Sequence, residues 1–281
     1  MIYLILTICL LTGIPALFLL FFMLKKKQRI KIMGEPFPQE WEDIIISNIP
    51  VYKYFTDSLK HELKSLTMLF LTEKDFEGCG GLEMTDEIKV TIAGEACMLL
   101  LNRHKTDCFP GLNSILVYPH AYVAGGKDVI GGKHVVEEVG SVRLGESWQN
   151  GEVVLAWDHV KNGAMNFDDG HNVVLHEFGH QLDQESGNAN GAPVLKNRSS
   201  YLTWGKVLSQ DFMKLVDKTE HHKKDVIDSY GATNPAEFFA VATETFFEKP
   251  EQLKKKHPEL FEELKKYYNL DPSEWEILKS K

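Results

Sequence analysis

Cysteine is scarce: there are four in 281 residues, none with CxxC spacing, which argues against a disulfide scaffold and a cysteine-built zinc site. Cys9 falls in the apolar amino end, and Cys79, Cys97 and Cys108 fit small buried apolar side chains better than a bridge framework. Cationic excess is missing too. The formal net charge of -9 argues against a nucleic-acid surface. No internal repeat and no low-complexity linker divides the chain, which leaves room for one sizeable core.

Charge is absent altogether from Met1–Leu24, MIYLILTICLLTGIPALFLLFFML. At about 1.5 Å per helical residue this stretch is long enough to cross roughly 30 Å of hydrocarbon, and it predicts a transmembrane helix in which Pro15 is tolerated. A cleaved secretory signal fits less well, because the amino end lacks Lys and Arg and the apolar core is over-long. Lys25, Lys26, Lys27, Arg29 and Lys31 follow directly. Such cations stay in the cytoplasm beside anionic headgroups, so the expectation is a single-pass membrane protein with its catalytic part facing the cytosol. The division is 1–24 anchor, 25–40 basic juxtamembrane segment and linker, and 41–281 one domain.

Within that domain, apolar periodicity over Trp41–Phe70, broken at Pro50, predicts two helical segments. Glu73–Phe76 reads as a turn, and Glu83–Leu101 as a helix capped near Thr85, with Asp86 and Glu87 suiting its positive end. Ile115–Tyr118, Val135–Leu144 and Gly151–Trp157 are strand candidates that together suggest a small twisted sheet. If Glu152–Trp157 is exposed beside the active helix, a peptide can add to it as a further strand; a buried central strand is the equal alternative. Leu202–Val216 is helical, Lys218–Asp225 with His221 and His222 reads as solvated surface, and Glu251–Lys281 reads as amphipathic until Pro272.

The chemistry is concentrated in HNVVLHEFGHQLD, residues His171–Asp183, which contains His176-Glu177-Phe178-Gly179-His180. On a helix, His176 and His180 lie one turn apart on one face and can reach a single ion, while Glu177 is close enough to take a proton from a metal-activated water. Zinc holds four positions, and a catalytic site keeps one open, so a third protein ligand is required. DSYGATNPAEFFAVATETFFEKP, Asp228–Pro250, offers two acids on a helix opened by Asn234-Pro235. Glu237 and Glu244 are seven apart and fall on similar faces, and spacing alone rejects neither. Either acid can instead serve as a second-tier partner of a ligating histidine.

Together, HNVVLHEFGHQLD and YGATNPAEFFAVATETFFEKP resemble the zinc-dependent peptidases of the Mlc titration factor A family, also called DgsA anti-repressors, from about Trp41 to Trp275. The same set is similar to the gluzincin-like catalytic domain of anthrax lethal factor. The resemblance implies His176, His180 and Glu237 as ligands of one catalytic Zn2+, Glu177 as catalytic glutamate and Tyr230 as catalytic tyrosine, with Glu244 and Asp183 behind the ligands. It implies an α+β fold: a mostly helical zincin-like metallopeptidase domain with a small mixed β-sheet, here preceded by the transmembrane helix. The activity implied is peptide hydrolysis, aminopeptidase-like in character. The implied partners are a peptide or protein substrate and, as the alternative role, a cytosolic regulatory protein that the chain titrates.

Overall fold

The computed structural model describes residues 2–103, 107–123, 142–143, 145–148 and 151–275. The amino end is one helix, α1 (Ile2–Met33). Its carboxy-terminal part is tied to the domain: Arg29 clasps Glu73 through Nε and Nη2 at 2.6 and 2.8 Å, Ser65 donates to the Met33 carbonyl, and Ile32 and Met33 pack on the core. Among the described residues no helix is long and apolar enough to cross a membrane. This overturns the expected transmembrane helix and, with it, the membrane partner and the single-pass, cytosol-facing placement. The carboxy-terminal part of α1 belongs to the folded domain, where Arg29 pairs with Glu73 and the Met33 carbonyl accepts from Ser65.

Two short helices follow. Pro38 precedes α2 (Gln39–Asn48), and Pro50 opens a single 3-10 turn, Pro50–Tyr54, at the predicted interruption. The Thr56 hydroxyl accepts from the Leu59 N–H and starts α3 (Asp57–Glu73). Instead of the expected turn, Asp75–Gly78 is a strand, β1, parallel to a later segment with Asp75 opposite Ser114. So short a strand has no periodicity of its own to announce it; its partner lies about forty residues on. Thr85 caps α4 (Asp86–Met98) as predicted, accepting from Ile88.

The sheet is completed by β2 (Ser114–Tyr118), β5 (Gly145–Trp148) and β6 (Glu152–Ala156), with a separate pair β3 (Tyr122–Val123) and β4 (Val142–Arg143). Strand order is β1-β2-β6-β5; the first two pairings are parallel and β5 runs antiparallel to β6. The mixed sheet matches expectation. The placement of β6 decides between the two readings of Glu152–Trp157 in favour of the central strand: β6 is interior, paired on both sides, and β5 lies outside it at one edge. Trp157 begins α5 (Trp157–Met165) instead of ending a strand. The expected Val135–Leu144 strand lies outside the described residues except for β4.

The remaining elements are α6 (Val173–Gln184), α7 (Arg198–Glu220), α8 (Pro235–Glu248), α9 (Pro250–Lys256) and α10 (Pro258–Tyr268). The structure is thus mostly helical with a small sheet. Beneath α6, Phe178 stacks edge-on to Phe109 at 4.8 Å and meets Phe70 at 5.7 Å, an aromatic floor that fixes the helix's buried face. Val174, Leu175 and Leu182 complete that face, all fully buried. One charged region was misread: Asp225, predicted as solvated surface, has a buried side chain paired with His257 and Lys218, whereas His221 stays exposed.

Candidate metal centre

Asn172 begins α6, the helix of the two histidines, its side-chain oxygen accepting from the Leu175 N–H at 2.9 Å. One turn on, His176 and His180 project from the same side with ring centroids 4.8 Å apart. Asn234 starts α8 in the same way, accepting from Ala236 and Glu237 with Pro235 in the first turn, and this brings Glu237 to the site. The Glu237 Oε2 lies 3.1 Å from His176 Nε2 and 3.3 Å from His180 Nε2. One ligand atom from each of the three residues falls within 4.8 Å of the others.

These distances test whether a zinc ion suits the site. Tetrahedral ligands about 2.0–2.1 Å from one ion lie about 3.3 Å from one another, and the two nitrogen–oxygen spacings are close to that value. The donor set fits as well: two imidazoles and one carboxylate leave a fourth position for solvent or substrate.

Electrostatics follow from the same contacts. Burial opposes charge on Glu237, yet hydrogen bonds from His176 and His180 prevail and hold its carboxyl down to about 2. Burial likewise disfavours protonated His176, but Glu237 and Glu244 outweigh it and raise its pKa well above the ordinary value. Glu177 is 5 % exposed, and burial pushes its carboxyl up, the direction that makes it a better proton acceptor. Tyr230 lies in a 3-10 turn, Ser229–Ala232, whose start is pinned where Asp228 accepts from the Tyr230 N–H at 2.8 Å. Its ring is 5.9 Å from that of His176 and more than half exposed, toward solvent rather than packed away.

Glu244 behaves differently from Glu237. Its Oε1 accepts from His176 Nδ1 at 2.8 Å and its Oε2 from the Asn172 N–H at 2.7 Å. A carboxylate can only accept, so Nδ1 carries the hydrogen and Nε2 faces the cluster. Asp183, expected behind the ligands, is fully buried within the electrostatic reach of His180, and it also accepts from the Gly191 N–H at 2.7 Å, holding the loop that follows α6. That loop touches the Glu237 helix: Gly191, at φ +76, lies so close that an added Cβ would fall 2.5 Å from the Pro235 carbonyl oxygen.

The sequence reading passed over two participants. Glu248, one turn beyond Glu244, accepts from the Gly170 and His171 N–H groups at 2.7 and 3.1 Å, so three successive amides leading into α6 rest on glutamates of α8. Their i, i+4 spacing was the available signal. Glu95, on α4, accepts from the Asn172 side-chain amide at 2.6 Å; an acid inside the otherwise apolar run IAGEACM was its signal.

With this geometry in view, the likeness to known proteins can be stated. Residues 22–269 match the family described as glucose-regulated metallo-peptidase M90. The chain belongs to that family. A relative of Synechocystis, an uncharacterised protein, is 40 % identical over 243 residues, covering 86 % of this chain and 88 % of its own. Mlc titration factor A of Klebsiella pneumoniae is 32 % identical over 238 residues, covering 83 % and 86 % of the two chains, and that of Serratia proteamaculans is 30 % identical over 239. The His-His-Glu cluster of this M90 member is therefore set in a metallopeptidase-family fold.

Proposed function

We propose that this chain is a zinc-dependent peptidase in which His176, His180 and Glu237 hold one catalytic ion in a gluzincin-like arrangement. The observation that carries the reading is the convergence of two Nε2 atoms and one carboxylate oxygen at zinc-compatible spacing beside a buried glutamate. When bound, the ion supplies Lewis-acid polarisation of the scissile carbonyl and acidifies water. Glu177 accepts the proton from the attacking water and returns it to the departing amine. Tyr230 donates a hydrogen bond to the oxyanion as it forms. Glu244 keeps His176 in the tautomer that directs Nε2 at the site.

A peptide substrate is supported by β5. It is one of the two edges of the sheet, it runs antiparallel to β6, and among the described residues no strand pairs with its outer side. An extended peptide can add there by main-chain hydrogen bonds. The aminopeptidase-like preference rests on family resemblance alone.

A second reading is favoured by the relatives' printed name: as a titration factor, the chain binds a regulatory protein and cleavage is incidental. The 30–32 % identity to those relatives speaks for this role more directly than for aminopeptidase activity. One experiment separates the two. Purified chain is given a peptide library and, in parallel, Mlc, the factor in the relatives' name. Cleavage that disappears with chelator and in Glu177→Gln supports the peptidase; tight binding unaffected by Glu177→Gln, with no products, supports the titrator.

A further inference from the structure

The buried side of the metal helix carries a polar chain that the proposed chemistry does not use. Glu95 is fully buried in the middle of α4, among Ile92, Ala96 and Met98, and its Oε1 accepts from Asn172 Nδ2 at 2.6 Å. The side-chain oxygen of Asn172 caps the helix by accepting from the Leu175 N–H, so the amide can face only one way, with its NH2 toward Glu95. The backbone N–H of the same residue donates to Glu244 Oε2, and Glu244 Oε1 accepts from His176 Nδ1. Three residues therefore link the centre of α4 to a metal-facing imidazole, each joined at 2.8 Å or less.

We propose that Glu95 is a positioning residue for His176, acting through Asn172 and Glu244 to fix the ring that receives zinc. The inference rests on the zinc reading given above. Glu95 acts as a neutral acid. Its Oε2 has no hydrogen-bond partner among the described residues, and a fully buried carboxylate with one bare oxygen is far costlier than the protonated group. Burial pushes its carboxyl up to about 8, in the same direction. A neutral acceptor at this place satisfies the amide without adding a buried negative charge behind Glu244. An apolar residue there would leave the Asn172 NH2 buried and unpaired, and the shared residue would be free to turn away from both the cap and Glu244.

The test measures zinc affinity of the full chain by chelator competition, together with thermal unfolding of the zinc-free protein, for wild type, Glu95→Gln, Glu95→Ala and Asn172→Ser. Gln keeps a neutral acceptor of the same shape, so its zinc affinity stays within about threefold of wild type, whereas Ala loses about tenfold, the low end for outer partners of metal ligands. Ser at 172 keeps a hydroxyl for the helix cap and ends the link to Glu95; the chain still folds at a lower unfolding temperature, because Glu95 loses its partner, and its zinc affinity falls about tenfold. Wild-type affinity in Asn172→Ser, wild-type affinity in a folded Glu95→Ala, or equal losses in Gln and Ala overturn the proposal. If Glu95→Ala does not fold, Asn172→Ser decides alone. Failure of the wild-type chain to bind zinc sinks the underlying metal reading instead, so the two failures are told apart.

Discussion

Raising the pH from 6 to 9 removes a specific piece of stability, and the structure gives its size. His257 stands just before α10 with Nδ1 3.1 Å from Asp211 Oδ1 and Nε2 2.9 Å from Asp225 Oδ1, all three side chains at most 5 % exposed. Lys214 and Lys218 back the two aspartates. Burial lowers the pKa of His257, but the two carboxylates prevail and raise it from 6.5 to about 8. A group whose folded pKa is raised stabilises fully below its unfolded value and stops doing so as pH passes its folded value, so the loss falls between about 6.5 and 8. That gap is worth about 2 kcal/mol, or about 4–8 °C in Tm for a domain of this size. Glu95 and Glu248, which burial pushes up to about 8 and about 9, also lose stability as pH rises, so the His257 share must be read as a difference. Urea unfolding of wild type and His257→Gln across pH 6 to 9 isolates it: the wild-type advantage shrinks by about 2 kcal/mol over the range. Parallel curves, or an advantage that grows with pH, refute the reasoning.

Other outcomes follow from the site. Glu177→Gln retains zinc and loses peptide hydrolysis by about 10²–10⁴ in kcat, measured on any peptide the wild type cleaves. Tyr230→Phe lowers turnover by about 10²–10³ with zinc affinity unchanged; undiminished turnover removes the oxyanion role. Gly191→Ala forces a side chain into a left-handed backbone and against the Pro235 carbonyl, costing at least about 1–2 kcal/mol in denaturant unfolding, and an unchanged midpoint contradicts that packing.

Much of the helical skeleton was legible because it is local. Thr56, Thr85, Asn172 and Asn234 each cap a helix through a bond three residues or fewer away, and Pro50 breaks the first periodic stretch where the rule says it should. The pairing of His176 with His180 is local in the same sense. What stayed hidden depends on distant partners. β1 becomes a strand only against β2, Asp225 is buried only because His257 arrives from the end of α9, and the loop that Asp183 holds through Gly191 returns eight residues later. Glu237 and Glu244 looked equivalent by spacing, and the structure distinguishes them by which nitrogen of His176 each one meets. The membrane expectation failed because composition of the amino end was read without knowing that Arg29 and Met33 belong to the folded domain.

The most direct test is zinc titration of the purified chain combined with X-ray absorption at the metal, for wild type and Glu237→Ala. The account predicts one zinc per wild-type chain with two imidazole nitrogens and a carboxylate oxygen bound, and affinity weakened by at least about tenfold in the variant. A folded wild-type chain that takes up no zinc at micromolar concentration, or a Glu237→Ala chain that binds it as tightly as wild type, contradicts it.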